Sequence, residues 1–100
     1  MKDNFVDYYI ATMLRDKGLD INCMAYYDSN GELLPIKSKY LGAGIKQIDC
    51  HELNTLAPLY QQAINWFKTE HNIHIMFTDN EGMDFQMQHA CKHIKDIIIK

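Results

Sequence analysis

The spacing of apolar residues alternates along this chain between a helical period and a strand period, and this alternation restricts the fold class most. In residues 3–17, apolar side chains recur three and four positions apart, which is the stripe of an amphipathic helix. Asp7 near its start and Arg15 near its end suit the helix dipole. We therefore predict a first helix over 3–17, with the stripe Val6, Tyr9, Ile10, Met13 and Leu14.

Residues 23–36 carry the signature of a β-hairpin. Two short runs, 23–27 and 32–36, flank a turn that contains Asn30-Gly31, and both of these residues tolerate the positive φ of tight hairpin turns. Pro35 has no backbone N–H, which favours an edge position for the second strand. Residues 37–55 show no sustained period, so we interpret them as a long loop that either binds a partner or contains a short undetected element.

The second half of the chain shows the same order of patterns. A second helix is predicted to begin at Pro58 and to end near His71-Asn72, with the stripe Leu56, Leu59, Tyr60, Ala63, Ile64 and Phe67. Alternation in 73–77 and 83–87 predicts a second hairpin, and residues 90–98 return to helical spacing, although 97–99 fit a strand equally well. The expected fold is α+β: helix-hairpin-helix-hairpin-helix, with a small antiparallel sheet of about four strands and the helices on one face.

Length and composition favour a single soluble domain over residues 1–100. The chain has 100 residues, of which 47% are hydrophobic, enough to build a core without disulfides or a structural metal. The beginning of the sequence does not resemble a secretory signal, and no stretch is long and apolar enough for a membrane span. Three widely spaced cysteines, Cys23, Cys50 and Cys91, fit reduced thiols, so we expect a cytoplasmic protein with no membrane partner.

Two groups of residues could carry chemistry, and their spacing argues against both. Cys50-His51 with His89, Cys91 and His93 are zinc-ligand types, but Cys-x-x-Cys is absent and Cys91 would point away from the two histidines on a helix. Cys50 and His51 could serve as a nucleophile and its base, but they are adjacent in the chain, whereas such pairs normally come from distant segments. We therefore expect no metal, no cofactor and no catalytic residue, and a hydrolase built on Cys50 ranks last among our hypotheses.

Aromatic residues supply the most suggestive functional signal. Tyr26 and Tyr27 are adjacent on a predicted strand, so their rings must point to opposite faces and one of them should be partly exposed. Exposed Tyr is favoured at protein interfaces and also stacks on single-stranded bases. The net charge of −3 and the scattered basic residues provide little of the clustered positive charge that nucleic-acid binding requires.

Three segments together resemble a group of small phage and prophage proteins of Bacteroides-type gut bacteria. They are Cys-Met-Ala-Tyr-Tyr-Asp-Ser-Asn-Gly-Glu-Leu at 23–33, Ala-Pro-Leu-Tyr-Gln-Gln-Ala-Ile-Asn-Trp-Phe-Lys at 57–68 and His-Asn-Ile-His-Ile at 71–75. That group has no assigned activity. The resemblance therefore implies a mobile-element setting and transfers no catalytic or binding residue.

Two functional hypotheses from different classes follow. The first is a non-enzymatic interaction or structural module that binds a protein partner or itself through the first hairpin and the 37–55 loop. Binding to itself would give a dimer. The second is a single-stranded nucleic-acid-binding or replication accessory protein that uses exposed aromatics and a local basic patch. The residues predicted to carry the interaction are Tyr26, Tyr27, Tyr40, Lys37, Lys39 and Lys46.

Overall fold

The computed structural model describes residues 4–36, 44–47, 50–51 and 53–95. Within these ranges the protein has an α+β fold, as predicted. Its helices are α1 (Tyr8–Asp16), α2 (Tyr60–His71) and α3 (Asn80–Cys91), and its strands are β1 (Ala25–Tyr27), β2 (Leu33–Pro35) and β3 (Thr55–Ala57). The strands form an antiparallel sheet in the order β2-β1-β3, so the described residues contain three strands where the sequence predicted about four.

The first helix begins five residues later than predicted because Asp7 caps it. The Asp7 side chain accepts a 2.8 Å hydrogen bond from the backbone N–H of Ile10, which satisfies a donor that the first turn leaves open. The residues before it run alongside the chain that precedes α2: Phe5 bridges to Leu59, and the Val6 N–H donates to the Pro58 carbonyl. The predicted stripe is wrong at Tyr9, whose side chain is exposed.

The first hairpin is confirmed, with β1 and β2 paired so that Tyr26 lies opposite Leu34. Its turn is held by Asp28, whose carboxylate accepts 2.9 Å hydrogen bonds from the N–H groups of both Asn30 and Glu32. Gly31 has a φ of 79°, the left-handed conformation that ends such a turn. Because β1 lies between β2 and β3, Pro35 is on an edge strand, as predicted.

Strand β3 is the short element that the sequence did not reveal. It pairs with β1 so that Leu56 lies opposite Tyr26, whereas Leu56 was predicted in the stripe of the second helix. A strand of three residues shows no readable period, and the pairing partner determines its conformation. Helix α2 begins at Tyr60 because Pro58 and Leu59 are held extended by Val6 and Phe5, and it ends at His71, close to the prediction.

The predicted second hairpin is wrong, because residues 80–91 form α3 and residues 72–79 form no strand. Asp79 is a helix cap that accepts a 2.8 Å hydrogen bond from the Gly82 N–H, so Asp-Asn-Glu-Gly is a helix start rather than a turn. The buried residues of α3 are Met83, Met87, Ala90 and Cys91, which share one helical face. The third predicted helix therefore lies earlier in the chain, and its residues after 95 lie outside the described ranges.

The core lies between the helices and one face of the sheet. Ala25, Tyr27 and Ala57 from that face belong to the same buried cluster as Ile10, Leu14, Phe67 and Met87 from the helices, and α1 packs against both β3 and α3. The opposite face carries Tyr26, Leu34 and Leu56, which alternate with the core residues along their strands. None of the three described helices combines the length and apolar content that crossing a bilayer requires.

Candidate interaction surface

A cleft of about 470 Å³ opens on the face of the sheet that points away from the helices. We call it the Tyr26 cleft. Its lining residues come from the first hairpin and from the segment that precedes β3, and they are Tyr26, Leu34, Pro35, Ile36, Ile45, Cys50, His51 and Asn54. Aromatic and aliphatic side chains with a few polar groups are the usual lining of a binding site.

Cross-strand pairing positions the hairpin side of the cleft. Tyr26 on central strand β1 lies opposite Leu34 on β2 and opposite Leu56 on β3, and paired residues of antiparallel strands project on the same face. The pairing continues beyond β2, where the Ile36 N–H donates a 3.0 Å hydrogen bond to the Met24 carbonyl. The Tyr26 ring, which is half-buried, therefore lies beside aliphatic residues on a hydrogen-bonded sheet.

Backbone hydrogen bonds fix the other side of the cleft. Ile45 exchanges two hydrogen bonds with Cys23, of 2.8 and 3.0 Å, and so adds a bridge just before β1. The Gln47 side chain accepts from the Leu56 N–H and donates to the Asn54 carbonyl, both at 3.0 Å. The amide of Gln47 thus occupies backbone groups along β3 that would otherwise be open to another strand.

Among the described residues, the outer edge of β2 offers little to an incoming strand. The Asp28 N–H donates to the Glu32 carbonyl, and the Ile36 N–H donates to the Met24 carbonyl. Because hydrogen-bonded and non-hydrogen-bonded pairs alternate along antiparallel strands, the backbone N–H and C=O of Leu34 point toward β1. The backbone groups of Leu33 and Pro35 point outward. Pro35 has no N–H, so within β2 only Leu33 presents a donor at this edge. We therefore expect a partner at this end of the sheet to contact the side chains of the Tyr26 cleft rather than the backbone of β2.

Cys50 and His51 line the cleft together, and the surroundings of the thiol shift its pKa upward. Burial raises the pKa of Cys50, and a hydrogen bond with the His51 backbone only partly opposes this. The His51 ring accepts a 3.1 Å hydrogen bond at Nδ1 from the Leu53 N–H, so that nitrogen already has a donor. Burial also raises the pKa of the nearby Cys23 to about 12, with a further contribution from Cys50. Reactive cysteines have lowered pKa values.

The three predicted interaction residues that the structure describes, Tyr26, Tyr27 and Lys46, lie in three different places. Tyr26 lies in the cleft, but Tyr27 is 5% exposed and its hydroxyl donates a 2.6 Å hydrogen bond to the Val6 carbonyl. Tyr27 is therefore a core residue, and we remove it from the proposed surface. Lys46 lies in a different groove, 4.0 Å from the Asp20 carboxylate. The other predicted residues, Lys37, Lys39 and Tyr40, lie outside the described ranges.

The candidate metal ligands are spread over two parts of the chain. His89 and His93, the latter in the turn after α3, stack edge to face with ring centroids 5.5 Å apart. Cys91 is buried in the core, so it points away from the two histidines, as the sequence predicted. Within the described ranges, no three side chains of His, Cys, Asp or Glu are grouped closely enough to hold a metal ion.

Sequence reasoning missed several residues of the cleft. Leu34 and Ile36 were assigned to a strand, but their role in lining a cleft depends on which sheet face the helices leave open. Ile45 and Asn54 lie in 37–55, where the sequence shows no sustained period. What the sequence did indicate was that 37–55 is long enough to carry a binding role.

No known protein-family model matches this sequence, and it shows no significant similarity to a curated protein or to a solved structure. Function is therefore inferred from the geometry of the described residues.

Proposed function

We propose that this protein is a non-enzymatic interaction module that binds a segment of a protein partner in the Tyr26 cleft. The observation that carries the proposal is the cleft itself, a concave apolar surface built around a half-buried tyrosine. Tyr supplies a large rigid contact area and is enriched at binding hot spots. We also propose that the protein works in the cytoplasm and belongs to a mobile element.

The shape of the cleft favours a partner segment over a second copy of the same cleft. A twofold dimer brings the same patch of each subunit together, and two concave surfaces leave a void between them. Side chains of a peptide can enter such a cleft, with Leu34 and Ile45 on its walls and the polar groups of His51 and Asn54 available for orientation.

The electrostatic setting supports binding over catalysis. The raised pKa of Cys50 keeps its thiol protonated at neutral pH, and a protonated thiol is a poor nucleophile. The position of Lys46 beside Asp20 also reduces the positive charge available to nucleic acid, which supports the protein-partner hypothesis over the nucleic-acid hypothesis.

A random-peptide display selection against the protein tests the proposal. Synthetic copies of the enriched peptides are then measured by fluorescence anisotropy against the wild type, Tyr26→Ser and Tyr9→Ser. Tyr9 is a matched control, because it is an exposed tyrosine on α1 outside the cleft. We expect Tyr26→Ser to weaken binding about tenfold or more, the loss of about 1.4 kcal/mol expected for an interface aromatic, and Tyr9→Ser to leave it unchanged.

Three results would contradict the proposal. They are a selection that enriches no peptide, peptides that bind Tyr26→Ser as tightly as the wild type, and binding of an oligothymidine that weakens steeply with salt and depends on Tyr26. The last result would favour the nucleic-acid hypothesis. Sedimentation of the wild type and Tyr26→Ser adds a further arm, because a dimer lost in this variant would identify the occupant as a second copy.

A further inference from the structure

A second groove, of about 230 Å³, lies between the first turns of α2 and α3. We call it the Phe77 groove. Its apolar lining consists of Leu59, Tyr60, Phe77 and Met83, and amide side chains complete it. It shares no lining residue with the Tyr26 cleft.

Phe77 is displayed rather than buried. Its side chain is 74% exposed, although Met83 in the same groove belongs to the core. The backbone before it is held in place, because the Gln86 amide accepts from the Met76 N–H at 2.7 Å and donates to the Met76 carbonyl at 3.0 Å. Asp79, two residues after Phe77, caps α3. The phenyl ring is thus attached to a fixed backbone at the mouth of a groove.

Acidic side chains lie next to the groove, although none of them is among its lining residues. The Tyr60 hydroxyl, inside the groove, donates a 2.5 Å hydrogen bond to Oδ1 of Asp84. Burial raises the pKa of Asp84, the Tyr60 bond lowers it, and the nearby charges of Asp7 and Glu81 raise it again. The negative charges of Asp84 and Asp7 thus act on Tyr60, and that of Glu81 acts on Asp84. The ion pairs between described residues join Arg15 to Asp16 and Lys46 to Asp20, and neither includes these three acids.

The helix dipoles do not reverse this negative field. Each helix N-terminus contributes about half a positive charge, so α2 and α3 together offset about one of the three carboxylates. Their open N–H groups are also partly occupied, because Gln62 accepts from the Leu59 N–H and Asp79 accepts from the Gly82 N–H. Among the described residues, the charges beside this groove therefore favour a cation.

We propose that the Phe77 groove binds a basic, apolar segment of a partner protein, with one apolar side chain against Phe77 and a Lys or Arg beside Asp84 and Glu81. A volume of 230 Å³ is below the range of about 300–1,000 Å³ typical of small-molecule pockets, and it suits a side chain of a peptide. A second copy of this chain is a poorer occupant. Twofold pairing of the same patch would bring the acidic margins of the two copies together.

The test uses two labelled synthetic peptides of equal length, one alternating Lys with Leu and the other alternating Glu with Leu. Fluorescence anisotropy is measured with the wild type, Phe77→Ser, Glu81→Gln and the matched control Phe85→Ser. Phe85 is 72% exposed but does not line the groove. We expect the Lys-Leu peptide to bind, Phe77→Ser to weaken it about tenfold and Glu81→Gln about threefold with a shallower salt dependence, and Phe85→Ser to leave it unchanged.

The proposal is overturned if the Lys-Leu peptide does not bind, if the Glu-Leu peptide binds as tightly, or if Phe77→Ser and Phe85→Ser behave alike. A dimer that Phe77→Ser abolishes would also overturn it, by identifying a second copy as the occupant. Tyr26→Ser is expected to bind the Lys-Leu peptide like the wild type. Failure at this groove is thereby distinguished from failure at the Tyr26 cleft.

Discussion

Tyr60 and Asp84 are joined by a 2.5 Å hydrogen bond that connects the first turn of α2 to α3. The bond stabilises the carboxylate form of Asp84 against burial, which raises the pKa of this group, and against the charges of Asp7 and Glu81. Since the net direction is upward, the folded protein holds the Asp84 proton more tightly than the unfolded chain does. The contribution of Asp84 to stability is therefore full below its unfolded pKa and is lost as pH rises through its folded pKa.

We expect Tyr60→Phe to raise the pKa of Asp84 further and to reduce the free energy of unfolding at neutral pH by about 1.5 to 3 kcal/mol, the range for a hydrogen bond to a charged group. Carbon NMR of the Asp84 carboxyl group and urea unfolding across the acid range measure the two effects. Asp84→Asn is the control, because it removes the titration while its amide oxygen can still accept from Tyr60. An Asp84 titration that is the same in Tyr60→Phe and the wild type would contradict the prediction.

Tyr26 and Tyr27 should respond differently to removal of the hydroxyl. Tyr27→Phe leaves the Val6 carbonyl without its 2.6 Å partner in the core, and we expect a loss of about 1 to 3 kcal/mol in the free energy of unfolding. Tyr26→Phe, at a half-buried ring on the sheet face opposite the helices, should change it by less than about 0.5 kcal/mol. Chemical denaturation of both variants measures this, and equal losses would show that the two faces are wrongly assigned.

Gly44 and Gly31 both have positive φ, of 65° and 79°, but only one is crowded. A Cβ at Gly44 would lie 2.7 Å from the Cys23 carbonyl oxygen, whereas a Cβ at Gly31 would meet Tyr8 at 3.7 Å, an ordinary contact. Gly31→Ala should cost about 1 to 2 kcal/mol from the left-handed conformation alone. Gly44→Ala should cost more and disturb the Cys23–Ile45 bridge. Thermal unfolding ranks the two, and a smaller loss for Gly44→Ala would contradict the geometry.

Thiol labelling tests whether Cys50 is activated. Because burial raises the pKa of Cys50, the rate of its alkylation by iodoacetamide should continue to increase to a higher pH than the rate for an ordinary free cysteine does. Cys23, fully buried and with a pKa raised to about 12, should remain unlabelled until the protein unfolds. Peptide mapping by mass spectrometry separates the two sites, with Cys50→Ser as the control. Rapid labelling that is already maximal at neutral pH would favour the hydrolase hypothesis.

Local patterns in the sequence predicted those elements whose conformation depends on near neighbours. The first hairpin follows from Asn30-Gly31 between two strand-forming runs, and the edge position of β2 follows from the missing donor of Pro35. Most of α2 follows from an apolar stripe long enough to show its period. Where a short run fits two periods, as at Met83 and Met87, the capping of α3 by Asp79 decided against the predicted strand.

The tertiary structure decided what no local pattern contains. Strand β3 exists because Thr55–Ala57 finds β1 as a partner, and the Tyr26 cleft exists because the helices pack on the other face of the sheet. Strand alternation predicted that Tyr26 and Tyr27 point to opposite faces, but only the packing of α1, α2 and α3 showed which ring is buried. The physical reason is that alternation depends on adjacent residues, whereas burial depends on segments that are distant in the chain.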